Sequence, residues 1–116
     1  MNTLVVINDA PYGTERAYNA LRLAGAVARN EGQSVRVFLV GDAAACAQAG
    51  QRVPSGYYNV ETMLKSAVRH GAEVGVCGSC MDARGIAGEH LAEGTRRSSL
   101  EEWASWTVWA DKVVVF

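Results

Sequence analysis

Two cysteines with C-x-x-C spacing are the residues in this sequence with the clearest chemistry. Cys77 and Cys80 close an apolar run, and the pair Arg84-Gly85 follows a few positions later. A cysteine thiolate is both a nucleophile and a metal ligand, so the spacing fits disulfide exchange, zinc binding or sulfur transfer. A buried cysteine can also be no more than a small apolar side chain. The elements that surround the pair therefore decide what it is for.

Short apolar strands alternate with helical patterns along the chain, and this alternation predicts the fold class. The predicted strands are Thr3–Ile7, Ser34–Val40, Ala72–Cys77 and Lys112–Phe116. The predicted helices begin at the capping residues Thr14, Asn59 and Ser98-Ser99. The alternation favours a three-layer α/β/α domain, spanning residues 1–116, with a mostly parallel sheet that is covered on both faces.

Two loops lie at the edge of the sheet where parallel α/β proteins place their sites. Ligands in open parallel sheets bind outside the carboxyl ends of the strands. The loop Asn8–Thr14 follows the first strand, and the segment Cys77–Gly85 follows the third. The first loop lacks the glycine patterns of nucleotide-binding turns. We expect Tyr12, Gly13 and Thr14 to form a turn that walls a site built around the cysteines.

Composition and charge exclude several classes of partner. The chain has 116 residues and a net charge of −1, with no basic stripe for a phosphate backbone, so direct nucleic-acid binding is not expected. No segment approaches the ~18 apolar residues needed to span a membrane, and the first residues lack the pattern of a signal peptide, so none is expected. Three cysteines are too few for a disulfide-stapled secreted domain. We therefore expect a cytoplasmic protein with free thiols.

Zinc binding and thiol-disulfide exchange are two alternative uses of the cysteine pair. One C-x-x-C motif supplies two ligands, whereas a structural zinc site needs four, and Cys46, His70 and His90 show no second ligand spacing. Neither a metal nor a cofactor is predicted. The letters CGSC look like a thioredoxin-type motif, but no proline follows the pair. Disulfide exchange stays open, and Cys46 is interpreted as a buried apolar residue.

Local physical chemistry leaves open which cysteine is the more acidic thiol. Backbone N–H groups of a short following helix and the guanidinium of Arg84 would stabilise a thiolate at Cys77. Cys80 lies nearer the beginning of that helix, which would lower its own pKa. The reactive position is therefore either Cys77 or Cys80, with Arg84 as the candidate anion-binding residue.

The chain resembles the DsrE/DsrF-like family, and in particular its small YchN-like members, in four motifs. These motifs are APYGTE, GYYNVETML, CGSCMDARGI and WADKVVVF, in this order along the chain. The resemblance implies a five-stranded sheet with an additional short strand near Gly94–Ser98. It also implies homo-oligomers, often trimers or hexamers, and a role in a sulfur relay.

The same resemblance assigns roles to the cysteine pair. Cys77 matches the cysteine that carries sulfur as a persulfide, seven residues before Arg84, and Cys80 matches the second cysteine of the YchN-like motif, a candidate resolving thiol. The expected function is a sulfur-relay protein that carries sulfane sulfur between donor and acceptor proteins. Whether this makes it a sulfurtransferase in the enzymatic sense stays open. A thiol-disulfide oxidoreductase and a non-enzymatic oligomeric scaffold are the alternatives.

Three tryptophans recur at i, i+3 and i+6 along the last predicted helix. Trp103, Trp106 and Trp109 spread over about a third of the helix circumference. A narrower strip on the same helix consists of Leu100, Ala104 and Thr107. We expect this strip to face the sheet, and part of the indole surface to remain for another subunit.

Overall fold

The computed structural model describes residues 1–116 and contains five strands and four α-helices. The strands are β1 (Asn2–Ile7), β2 (Ser34–Leu39), β3 (Glu73–Cys77), β4 (Thr95–Ser98) and β5 (Lys112–Val115). The helices are α1 (Arg16–Ala28), α2 (Val60–Arg69), α3 (Gly78–Asp82) and α4 (Leu100–Trp109), with 3-10 turns at Gly41–Ala47 and Gly88–His90. The predicted strands are confirmed, and so is the additional strand β4 implied by the resemblance.

The sheet is parallel throughout, with the strand order β4-β3-β2-β1-β5. From β1 to β4 the chain steps in one direction across the sheet, so right-handed crossovers place the connecting helices on one face. The connection from β4 to β5 returns across the whole sheet, and the same handedness places α4 on the opposite face. The predicted three-layer α/β/α architecture is therefore confirmed, with a sheet that is wholly rather than mostly parallel.

The two faces of the sheet are buried to different extents. The larger core lies under α1 and α2 and includes Val5, Val37, Val74, Ala20 and Leu64. The smaller core lies under α4 and consists of Leu4, Val6, Phe38 and Trp106. Val113 and Val115 of β5 pair in register with Leu4 and Val6, so they belong to the α4 face, yet both are exposed. The β5 side of that face therefore carries uncovered apolar surface.

Two of the three predicted helix caps are confirmed, and one is wrong. Asn59 accepts from Thr62 N–H at 3.1 Å at the start of α2, and Ser99 caps α4 in the same way. Helix α1, in contrast, begins at Arg16, and Thr14 donates its hydroxyl to Asp9 at 2.7 Å. The Asp9 carboxylate therefore holds Thr14 outside the helix. None of the helices combines the length and the apolar character that a membrane-spanning segment requires.

The predicted orientation of α4 was wrong, because its tryptophans face the sheet. Trp106 is 4% exposed, and the Trp103 ring stacks on Phe38 with 4.8 Å between centroids. Gly75 of β3 makes room for this packing, since a Cβ atom there would lie 3.1 Å from the Trp106 ring. The strip of Leu100, Ala104 and Thr107 faces outward. Indole rings bury more apolar area than the smaller side chains of that strip, which favours the observed orientation.

Candidate functional site

Strand β3 brings Cys77 to the carboxyl edge of the sheet. Val74 and Val76 are buried in the larger core, which fixes β3 up to its last residue. Cys77 ends the strand and also precedes the first residue of α3. Residues three positions apart at a helix start lie on the same side of the helix, so Cys80 comes to lie beside Cys77. Both thiols therefore occupy the edge at which the sequence predicted a site.

The two sulfur atoms lie close together, and Cys80 is the donor in the hydrogen bond between them. The Cys80 thiol donates to Cys77 Sγ over 2.7 Å, and Ser79 Oγ lies 3.4 Å from the same sulfur. Cys80 Sγ accepts from the backbone N–H of Gly41 at 3.2 Å. Gly41 has a φ of 60°, which side-chain-bearing residues rarely adopt. A glycine at this position therefore lets the backbone present its N–H to the thiol.

These contacts move the pKa values of the two thiols in opposite directions. Burial raises the pKa of Cys77, but the Cys80 thiol, the Ser79 hydroxyl and nearby backbone N–H groups outweigh it, so the pKa lies below its ordinary value. Burial raises the pKa of Cys80, and donation to Cys77 raises it further. Cys77 is therefore the more acidic thiol of the pair and forms the thiolate more readily than Cys80.

We expect the alkylation of Cys77 by iodoacetamide to begin at lower pH than that of a free cysteine. The reaction rate follows the thiolate fraction, and the pKa of Cys77 is lowered. Cys80→Ala removes the thiol that donates to Cys77, so the midpoint of the rate–pH profile should move upward. Mass spectrometry of the alkylated chain gives the profile. Cys46→Ala is the matched control and should leave it unchanged; an unshifted midpoint in Cys80→Ala would contradict the assignment.

Arg84 lies beside Cys80 rather than Cys77. Its Nη2 and Nε donate to Asp42 Oδ1 at 2.8 and 3.2 Å, and its Nη1 donates to the carbonyl oxygen of Cys80 at 3.1 Å. These bonds tie the end of α3 to the 3-10 turn that contains Gly41, which holds the Cys80 thiol in place. The expectation that Arg84 binds the anion at Cys77 therefore does not match the geometry, because Asp42 holds its guanidinium on the other side.

Arg97 of β4 lies beside the backbone that directly follows Cys77, and sequence reasoning missed it. Its Nη1 and Nη2 donate to the two carboxylate oxygens of Asp82 at 2.8 and 2.9 Å. A Cβ atom on Gly78 would lie 2.8 Å from Arg97 Cζ, so the guanidinium crosses the backbone directly after Cys77. The Cys77 thiolate in turn contributes to raising the pKa of Arg97, after the larger effect of Asp82. Arg97 thus supplies the positive charge at this thiol.

A cleft of about 540 Å³ opens beside the cysteines on the α4 face, and we call it the cysteine cleft. Its apolar wall is formed by Phe38, Val40, Leu100 and Trp103. Its polar lining includes Cys77, Ser79, Cys80, Arg97, Ser98 and Ser99. Parallel pairing of β3 with β4 aligns Cys77 with Ser98, which brings the start of α4 to the rim. The cleft therefore lies within reach of the thiolate and of one guanidinium.

The loop after β1 does not line the cysteine cleft, contrary to the expectation for Tyr12, Gly13 and Thr14. Tyr12 and Gly13 line a separate cavity of about 440 Å³ together with the segment 52–58. The Tyr12 hydroxyl donates to Gln51 Oε1 at 2.6 Å and accepts from the backbone N–H of Val60 at 3.1 Å. These two bonds turn the loop toward the start of α2, away from the cysteines.

The third cysteine and the two histidines lie away from this chemistry. Cys46 is fully buried, as predicted, and burial raises its pKa to about 12. His70 is the C-cap residue of α2, and its Nδ1 lies 2.7 Å from the carbonyl oxygen of Ser66. His90 lies in the 3-10 turn before β4. The structure brings together no group of three or more side chains of the types that bind metals.

Comparison with known proteins identifies the family. A model of the DsrE/DsrF-like family matches residues 1–116. The chain belongs to the DsrE/DsrF-like family. It is 40% identical over 114 residues to protein YchN of Escherichia coli, which covers 97% of both chains. It is also 40% identical over 116 residues to protein MJ0989 of Methanocaldococcus jannaschii, covering 100% of both.

Solved structures agree with the DsrE/DsrF-like assignment. The crystal structure of the YchN protein from Escherichia coli matches 100% of both chains with a TM-score of 0.91 and 39% identity. MTH1491 from Methanobacterium thermoautotrophicum matches 99% of this chain and 97% of its own with a TM-score of 0.75 at 12% identity, which shows the shared fold alone. The family expected from the four motifs is therefore confirmed, and membership in it supports a role of the sulfur-relay type.

Proposed function

We propose that this DsrE/DsrF-like protein carries sulfane sulfur as a persulfide on Cys77, between a sulfur donor and an acceptor protein. The observation that carries the proposal is the asymmetry of the cysteine pair. The Cys80 thiol donates to Cys77 Sγ at 2.7 Å, and the pKa of Cys77 is lowered while that of Cys80 is raised, so Cys77 is the thiol that forms a thiolate more readily. Free thiols require a reducing compartment, and we place the reaction in the cytoplasm. Sulfur loading of single-cysteine variants, described in the Discussion, tests the proposal.

The loading step is an exchange between sulfur atoms. The Cys77 thiolate attacks the outer sulfur of a donor persulfide, R–S–SH. A bond forms between Cys77 Sγ and that sulfur, the S–S bond of the donor breaks, and its electron pair leaves with R–S⁻. The thiolate that leaves takes the persulfide proton, which gives R–SH and the anion Cys77–S–S⁻. No oxidant is consumed, because the oxidised sulfur only changes its carrier.

Two reactions can follow, and Cys80 decides between them. An acceptor thiolate can attack the outer sulfur of the persulfide and take it, which returns Cys77 to its thiolate. Alternatively, Cys80 attacks Cys77 Sγ, forms a disulfide with it and releases the outer sulfur as HS⁻, with the proton coming from the Cys80 thiol. A thiol reductant must then reopen the disulfide. The raised pKa of Cys80 slows this second reaction, which favours delivery to an acceptor.

A thiol-disulfide oxidoreductase is the second candidate function, because the two sulfur atoms are 2.7 Å apart. A catalytic couple of this kind has a reduction potential between about −270 and −120 mV. Equilibration of the Cys77–Cys80 pair with glutathione buffers measures it. A potential well above this range would favour sulfur carriage, since the pair would then stay a dithiol in the cell and Cys77 would keep its free thiol.

We also propose that the protein acts as a homo-oligomer, a trimer or a hexamer. The support is the apolar surface on the α4 side: Val108 is 87% exposed, Leu100 is 71% exposed, and two valines of β5 are uncovered. Apolar side chains of this kind mark an interface when they lie together on one side of a molecule.

Light scattering at micromolar concentration is expected to give a mass several times that of one chain. Val108→Glu should shift the protein toward the monomer, because a carboxylate would be buried without a partner in the interface. Leu23→Glu, on α1 and 38% exposed, is the control and should leave the mass unchanged. A monomeric mass for the unmodified protein would refute the proposed assembly.

A further inference from the structure

We propose that the cysteine cleft binds a small organic persulfide that carries a carboxylate, and that Arg97 binds this carboxylate. The inference rests on the proposed function and narrows its donor from a protein to a small molecule. It starts from the position of the guanidinium, which crosses the backbone at Gly78, the residue directly after Cys77. A ligand held by Arg97 inside the cleft therefore lies next to the thiolate.

The size and lining of the cleft favour a small molecule with an apolar body and one anionic group. Its volume of about 540 Å³ lies within the roughly 300–1,000 Å³ typical of small-molecule sites. Phe38, Leu100 and Trp103 offer apolar contacts on one side, and Arg97 is the only basic side chain of the lining. An alkyl chain with a carboxylate at one end and a persulfide at the other matches this distribution of charge.

The present partner of Arg97 shows which anion its guanidinium accepts. Asp82 receives two parallel hydrogen bonds from it, at 2.8 and 2.9 Å, the two-pronged geometry that guanidinium and carboxylate groups favour. The side chains of Arg97 and Asp82 are 51% and 64% exposed, and exposed ion pairs contribute little to stability. A ligand carboxylate can therefore replace the Asp82 carboxylate on Arg97 at low cost.

The same placement serves the loading step. The donor S–S bond breaks when Cys77 attacks the outer sulfur, and the leaving thiolate carries the carboxylate with it. Arg97 holds the donor by the end that does not react, so the persulfide end is directed at Cys77. Arg97 is in this account a binding residue, and no proton or electron passes through it.

Two matched donors test the inference: the persulfide of mercaptopropionate and the persulfide of its methyl ester. Initial rates of Cys77 loading at increasing donor concentration, followed by mass spectrometry, give the half-saturating concentration of each. We expect the unmodified protein to half-saturate with the carboxylate donor at a concentration on the order of tenfold lower than with the ester. Arg97→Gln should remove this preference, so that the variant half-saturates at about the same concentration with both donors.

The variant Asp82→Asn distinguishes an Arg97 that binds the donor from an Arg97 that only stabilises the position of α3. If Arg97 binds the donor, this variant frees its guanidinium and lowers the half-saturating concentration of the carboxylate donor, opposite to Arg97→Gln. If Arg97 only braces α3, both variants weaken loading alike, which would overturn the inference. Arg69→Gln, on the exposed end of α2, controls for net charge and should behave like the unmodified protein. Equal use of both donors by the unmodified protein also overturns it, whereas failure of every donor to load Cys77 would overturn the proposed function itself.

Discussion

Cys77→Ser is expected to abolish sulfur loading, whereas Cys80→Ser is expected to keep it. Only Cys77 combines a lowered pKa with a place in the lining of the cysteine cleft, and a serine hydroxyl is no nucleophile toward a persulfide at neutral pH. Serine at position 80 still offers an O–H to Cys77, so the thiolate keeps a donor. Incubation with a persulfidated donor, followed by intact-mass measurement, shows which variant gains the mass of one sulfur atom.

The lifetime of the loaded state distinguishes the two cysteines a second time. Cys80→Ser removes the thiol that forms the disulfide and releases sulfide, so its persulfide should decay more slowly than that of the unmodified protein. Cys46→Ser is the control for a lost thiol, although its buried position calls for a check of the fold by circular dichroism. Loading of Cys77→Ser together with no loading of Cys80→Ser would reverse the assignment.

Trp106→Ala is expected to destabilise the protein by about 3–5 kcal/mol. The ring fills the space between α4 and the sheet, is 4% exposed and meets Phe38 edge-on at 6.2 Å between centroids. It also lies under two guanidinium groups, those of Arg36 at 5.3 Å and Arg96 at 5.5 Å, and its removal leaves a cavity that these neighbours do not fill. Urea unfolding at a fixed protein concentration measures the loss.

Two variants in the same helix control for effects other than the lost ring. Ser105→Ala changes an exposed residue next to Trp106 and should alter the free energy of unfolding by less than about 0.5 kcal/mol. Trp106→Phe keeps an aromatic ring and should recover part of the loss. A free energy of unfolding for Trp106→Ala close to that of Ser105→Ala would mean that α4 does not pack on the sheet as described.

The fold was largely predictable because the sheet is buried and its loops are short. Continuous apolar runs between glycine-containing turns predicted four of the strands. Strand β4, in contrast, reads Thr-Arg-Arg-Ser and has no apolar periodicity, since it is an edge strand with exposed side chains; only the family resemblance revealed it. The predicted orientation of α4 was wrong because both sides of this helix carry apolar residues. Which side packs on the sheet depends on the shape of the sheet surface that α4 covers.

The site was predictable where it depends on the strand ends, and not where it depends on strand order. Cys77 and Cys80 follow a buried strand in sequence, so their position at the sheet edge could be predicted. Arg97 reaches them only because β4 pairs with β3, which aligns it with Val76. Arg84 is close to the cysteines in sequence, which is why the sequence points to it, but Asp42, from a distant turn, holds it beside Cys80. Long-range pairing of this kind has no local signal.

The most direct test of the account is to locate the transferred sulfur on the unmodified protein. A donor persulfide labelled with a heavy sulfur isotope is mixed with the protein, and the cysteine-containing peptide is fragmented to find the label. A chase with cyanide, which takes sulfane sulfur as thiocyanate, then shows that the label is carried as a persulfide, because a sulfinic acid does not react in this way. We predict label on Cys77 that cyanide removes. Label on Cys80 alone, or no label on either cysteine, would contradict the account.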